Sequence, residues 1–205
     1  MMLSLFLLVL FYLSCVVTCD DEVLKEAFFL ITGLESSGSE FAATVVHSCL
    51  NNNSSEKWNG RSSPKGYEVG ANIAILHRSV PHGKYLKVSS WEDYQTWVTK
   101  GYKKFYVIVT TRDEEISLQS STRRFPSEGR NSTEAIDKNR ESLRDIFKNA
   151  ENAFIWNYET VIILGNIYAK KLYEFINKPD CTFDVEEKMF NGNLKYLNYT
   201  TIHRR

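Results

Sequence analysis

The chain has 205 residues, of which 43% are hydrophobic, 13% aromatic and 24% charged, with 25 basic side chains balanced by 25 acidic ones. A formal net charge of +0 leaves no electrostatic footprint for sequence-independent nucleic-acid binding. Only 4 Pro and 10 Gly argue against disorder or a collagen-like chain, and 4 Cys are too few for a disulfide-built scaffold, so the composition describes one globular domain with a real core.

Residues 1–19, MMLSLFLLVLFYLSCVVTC, are uncharged and apolar almost throughout and stop abruptly at Asp20, Asp21 and Glu22. This pattern predicts a signal peptide, with the domain proper running over residues 20–205. A short signal anchor is the rival, because about 17 apolar residues reach the lower limit for spanning a bilayer; membrane attachment is expected only if the segment stays uncleaved. Four N-x-S/T triplets, at Asn52, Asn53, Asn131 and Asn198, agree with a glycosylated protein of the secretory lumen, in the Golgi or endoplasmic reticulum, or secreted. Removing the leader leaves Cys49 and Cys181, which either pair in an oxidising compartment or stay as two buried thiols.

Further along, strand-like and helix-like runs alternate. Residues 27–32 (AFFLIT) read as a buried parallel strand ending at Gly33, and residues 39–50 as the helix that follows. Residues 51–67 are polar and turn-rich, which predicts a surface loop. A second strand is expected over 72–76, a short amphipathic helix over 91–100 and a central strand over 105–111 (FYVIVTT). Helices then follow from 113 and over 133–152, a strand over 154–157 and a last helix over 159–176. Such alternation implies an α/β fold of three layers, a P-loop-type parallel sheet with helices on both faces.

In that architecture ligands sit where strand ends lead into helix N-termini. Two such loops carry chemistry. Gly33-Leu34-Glu35-Ser36-Ser37-Gly38-Ser39 has glycines five apart, the frame of a loop whose backbone N–H groups cradle a phosphate. A nucleoside triphosphatase needs Lys then Ser or Thr after the second glycine, whereas this chain has Ser39-Glu40, which disfavours a P-loop small-molecule kinase. Taken alone, the loop serves equally well as a plain turn between strand and helix. The second loop, after FYVIVTT, places Arg112 at a strand end and Ser120 eight residues later, so that both can converge on one phosphate.

Together these blocks resemble the sulfotransferases that use 3′-phosphoadenosine 5′-phosphosulfate (PAPS). A third block, FIWNYETVIILGNIYAKKLYEFI over residues 154–176, is similar to that family's late strand ending in Tyr-Glu, here Tyr158 and Glu159. The resemblance implies that Gly33, Ser36, Ser37, Gly38, Ser39 and Glu40 bind the 5′-phosphosulfate and that Arg112 and Ser120 bind the 3′-phosphate. It implies sulfuryl transfer from PAPS to a hydroxyl or amine of a glycan, protein or small molecule, with no metal. One departure is Ser36, where most members carry Lys or Arg against the leaving phosphate; losing such a preorganised cation costs on the order of 10²-fold in rate. Arg78 and Lys84 are the nearest substitutes by segment, and residues 188–195 (KMFNGNLK) are a degenerate counterpart of the family's C-terminal cofactor loop. A catalytically inactive nucleotide-binding relative is therefore the alternative.

Transfer needs a base for the acceptor proton. His77, just beyond the expected second strand, is the first candidate, with Arg78 beside it for the sulfuryl oxygens; Glu35 and Glu68 are the carboxylate alternatives. An ordinary strand-end histidine bonded to backbone is the bland reading of His77. Trp91, Trp97 and Trp156 read as packing residues, and Tyr158 and Glu159 as supports of the cofactor loop.

Overall fold

A computed structural model of the chain describes residues 25–51, 67–69, 72–81, 90–98, 101–125 and 133–196. Residues 1–19, the asparagines of the four N-x-S/T triplets, His82 and Lys84 lie outside them. In chain order the elements are β1 (Lys25–Leu34), α1 (Ser39–Leu50), β2 (Tyr67–Val69), β3 (Ile73–Val80), α2 (Trp91–Val98), β4 (Tyr102–Thr111), α3 (Glu114–Arg124), α4 (Thr133–Asn149), β5 (Asn152–Asn157), α5 (Tyr158–Phe175), α6 (Val185–Lys188) and a 3₁₀ turn (Gly192–Lys195).

The strands form one sheet in the order β2-β3-β1-β4-β5. Contacts β1–β3, β1–β4 and β4–β5 are parallel, and β2 joins the outer edge of β3 antiparallel. The expected α/β fold is thus present, with the addition of β2, a three-residue strand that begins at Tyr67, the last residue of the segment read as loop.

β1 is buried on both faces, as its unbroken apolar run requires. Strand alternation sends Phe29 and Ile31 to one side, where Val45, Val46, Ala169 and Leu172 of α1 and α5 meet them. Phe28 and Leu30 go to the other, against Tyr94 of α2 and Leu143 and Ile146 of α4. Two helical layers therefore enclose the sheet. Trp156 is fully buried and stacks on Tyr168, while Trp91 packs on Phe105, so both tryptophans serve the core. Cys49 and Cys181 form a disulfide with Cα atoms 5.1 Å apart, joining the end of α1 to the C-terminal segment.

The chain leaves β1 towards β3 on one side and later returns to β4 on the other. The carboxyl end of β1 is consequently the switch point of the sheet, where neighbouring loops splay apart and leave a crevice.

Candidate functional site

A cleft of about 520 Å³ opens at that switch point. The β1–α1 loop supplies Ser36 and Gly38, the first turn of α1 Ser39 and Glu40, β3 supplies His77, the end of β4 leads into Arg112, and α3 supplies Ser120. With Glu35 and Tyr158 also on its lining, residues singled out from sequence in four separate segments meet in one cavity.

The loop is shaped by its backbone. Ser36 and Gly38 have φ of 66° and 87°, both left-handed, separated by a turn in which Ser37 N–H donates to Leu34 O at 3.0 Å. Gly38 is the N-cap of α1 and brings no side-chain cap; its carbonyl accepts from Phe41 and Ala42 N–H, both at 3.1 Å, so no side chain competes for the N–H groups at the very start of the helix. A Cβ on Gly38 would lie 2.7 Å from the Tyr158 ring, so glycine is required by contact as well as by φ.

Gly33 and Ser37 lie beneath the cleft and are not among its lining residues. A Cβ on Gly33 would sit 2.0 Å from Thr110 Oγ1, so this glycine permits the close approach of β1 and β4. Thr110 donates to Thr32 O at 3.1 Å, and the Ser37 hydroxyl donates to Thr110 Oγ1 at 2.6 Å. Ser37 is 1% exposed and pins the loop onto β4 from beneath.

Arg112 is the hub of the cleft. Its Nη1 donates to Ser36 O at 2.9 Å, its Nε and Nη2 donate to Asn193 Oδ1 at 2.8 and 2.5 Å, and its guanidinium lies 4.5 Å from the Tyr158 ring centroid. Asn193 Nδ2 donates in turn to Glu159 Oε1 at 2.8 Å. Tyr158 O–H donates to Phe190 O and accepts from Gly192 N–H, both at 3.0 Å. Tyr196 O–H donates to Ser120 Oγ at 3.0 Å. The segment over residues 190–196 thus folds back across the cleft and engages both Arg112 and Ser120.

That segment also contributes cations. Lys195 lines the cleft with Arg123 and Arg124 of α3, and Arg112, Arg123 and Lys195 lie 5.8, 5.5 and 5.9 Å from the Tyr196 ring. Burial pushes the Tyr196 phenol up, but its bond to Ser120 and these three cations hold it below its ordinary value. The positive potential is therefore concentrated on the α3 side. At Ser36 itself the hydroxyl is buried and has no hydrogen-bond partner among the described residues.

His77 lies inside β3 rather than beyond it, and its Nε2 is 2.8 Å from Ser39 Oγ. Near it, Ser79 O–H donates to Glu35 Oε2 at 2.6 Å, and Arg124 stands 3.8 Å from Glu35 Oε1. Arg78 is not brought to this cleft. Because the strand continues through it, alternation turns Arg78 to the α2 side, where it is 9% exposed and its Nη1 donates to His77 O at 3.0 Å. Burial there lowers its pKa, with Tyr94 opposing the shift. Arg78 thus lies away from the cleft, which Arg123, Arg124 and Lys195 line instead.

Asn193 and Lys195 lie within the stretch 188–195 read from sequence as a degenerate cofactor loop, but their partners were not identifiable there, and Tyr196 was not singled out at all. They lie more than seventy positions from Arg112 and Ser120, and only the polar Asn-Gly-Asn turn over 191–193 hinted at a tight return of the chain. Compared with known proteins, the chain matches no family model and no curated protein.

Proposed function

We propose that the protein binds PAPS in this cleft and transfers its sulfuryl group to a hydroxyl or amine. The observation that carries the reading is the convergence of Arg112 and Ser120, eight residues apart in sequence, with the β1–α1 loop and His77 on one crevice at the sheet's switch point. The backbone of residues 36–40 and the open end of α1 suit the 5′-phosphosulfate. Arg112, Ser120 and Lys195 suit the 3′-phosphate, which would take over donors now directed at Asn193.

In the reaction the acceptor oxygen or nitrogen forms a bond to sulfur in line with the breaking sulfur–oxygen bond. The acceptor proton passes to a base and the electron pair leaves on the 5′-phosphate of adenosine 3′,5′-bisphosphate. His77 is assigned as the base because Ser39 holds its ring at the loop; Glu35, close by, is the second choice. The disulfide supports an oxidising compartment, in keeping with a secretory address and a glycan or secreted-protein acceptor.

A catalytically silent nucleotide-binding relative is the second reading, favoured by Ser36. Its hydroxyl faces no partner among the described residues, and the loop carries no cation against the leaving phosphate. Calorimetric titration with adenosine 3′,5′-bisphosphate, against adenosine 5′-phosphate and ATP, tests the shared nucleotide site. Tight, metal-independent binding that requires the 3′-phosphate is expected, and its absence in folded protein overturns both readings. Turnover with labelled PAPS then separates the enzyme from the silent binder.

A further inference from the structure

A second cavity, of about 400 Å³, lies on the α4 side of the sheet, between the carboxyl ends of β4 and β5 and helices α3 and α4. Its walls are aliphatic and aromatic: Leu34, Val109, Leu143, Phe147 and Ile155. Phe147 and Ile155 are 38% and 45% exposed, large apolar side chains left in solvent on a face that otherwise buries them.

Two polar features interrupt this lining. Ser117 is 5% exposed, and its Oγ is buried with no hydrogen-bond partner among the described residues. A buried hydroxyl left unsatisfied is costly, and an occupant that brings an acceptor removes that cost. The second feature is charge. Arg112, Arg140 and Arg144 line the cavity, with Glu114 the one carboxylate among its described lining residues, and the Arg112 nitrogens are directed at Ser36 and Asn193. Arg140 is already paired with Glu114 and with Asp137, whereas the Arg144 side chain is exposed on the rim.

Apolar walls of this volume, with a few polar groups to orient the occupant, are the makeup of a small-molecule site. We propose that the cavity binds a small amphiphile, an apolar body carrying one carboxylate or sulfonate, at a site separate from the nucleotide cleft. The body packs between Leu143, Phe147, Val109 and Ile155, the Ser117 hydroxyl donates to an oxygen of the ligand, and the anionic group faces the arginine rim. The site does not depend on nucleotide binding, although Arg112 borders both cavities.

The test uses the full chain and a matched pair of fluorescent probes, 8-anilinonaphthalene-1-sulfonate and its neutral relative N-phenyl-1-naphthylamine. Both should bind saturably at one site. Ser117→Leu, which projects a larger side chain into the cavity, should weaken both at least about tenfold. Arg144→Glu, at an exposed position that leaves the fold intact, should weaken only the sulfonate, by about fivefold, as expected for a rim charge. Melting curves establish that Ser117→Leu is folded; if it is not, the charge-selective effect of Arg144→Glu decides. No saturable binding, sulfonate affinity indifferent to Arg144→Glu, or displacement of the probes by adenosine 3′,5′-bisphosphate would overturn the proposal.

Discussion

Arg112 combines a planar fork of donors with a stacking face, and both are in use: the fork on Ser36 and Asn193, the face on Tyr158. Replacing it should therefore separate binding from folding in a readable way. Arg112→Ala is expected to weaken adenosine 3′,5′-bisphosphate binding by about 2–3 kcal/mol, on the order of 100-fold, the worth of charge-assisted hydrogen bonds to a phosphate. Arg112→Lys should recover only a small part of that loss by calorimetry, because a point charge cannot reproduce the fork. Adenosine 5′-phosphate, lacking the 3′ group, should bind both variants about as well as it binds the parent chain. The two loop glycines make a second contrast. Gly38→Ala sets a side chain at φ 87° against the Tyr158 ring, and strain of about 1–2 kcal/mol should appear in denaturant unfolding together with weaker nucleotide binding. Gly33→Ala should be the more destabilising, by about 3 kcal/mol, because its Cβ meets both the hydroxyl and the carbonyl oxygen of Thr110, at 2.0 and 2.5 Å, and must push two central strands apart. Arg112 and Ser120 were legible in sequence because a strand end and the next helix carry them at a fixed, local spacing. Asn193 was legible only as part of the stretch 188–195, since nothing local in a turn reveals which guanidinium 81 residues away it will meet.

At the scale of elements, β3 shows why one candidate met the site and its neighbour did not. A strand expected to stop at Leu76 leaves His77 and Arg78 in a loop, free to point together; the actual strand runs to Val80 and its pleat sends them to opposite faces. The strong elements, β1, α1 and β4, were legible because burial on both faces or one stripe imposes a period that their sequences display. β2 was not, because three residues pairing with an edge are too few to show any period. α5 was legible as a helix, but its interruption at Gly165 was not. There φ is 50°, and Glu186 of α6 accepts from Asn166 N–H at 3.0 Å in place of the broken helical ladder. The far end of α5 gives a pH-dependent prediction. Tyr173 O–H donates to Phe183 O at 2.7 Å, and burial, aided by Asp184, raises its pKa from 10.0 to about 12. The folded chain then keeps a proton that the unfolded chain releases, so the stabilisation is complete below pH 10.0 and is lost as pH rises towards about 12. Denaturant midpoints measured across that window should fall for the parent chain and fall less steeply for Tyr173→Phe. The variant should start about 1 kcal/mol less stable at neutral pH for want of the hydrogen bond.

For the molecule as a whole, the C-terminal segment completes the site, and the disulfide ties that segment to the core. Residues 190–196 reach Arg112, Ser120 and Tyr158 from a stretch with little regular structure of its own, one helix of four residues and one 3₁₀ turn. Such a stretch has few backbone bonds to hold it, and its docking depends on anchors. Val185 supplies one by full burial in the core, and Cys181 supplies another through Cys49 at the end of α1. The crosslink spans 132 residues, so breaking it returns a large loop entropy to the unfolded chain, of the order of 4–5 kcal/mol on the chain-entropy account. Cys49→Ala combined with Cys181→Ala should accordingly lower stability by about 2–5 kcal/mol, measured as a shift in denaturant midpoint. If the segment contributes its Lys195 and Tyr196 to the nucleotide site, the same variant should also bind adenosine 3′,5′-bisphosphate more weakly while still folded. A variant that loses stability but keeps full affinity would mean that Arg112, Ser120 and the β1–α1 loop suffice for binding, and that the segment is a cover rather than a wall of the site.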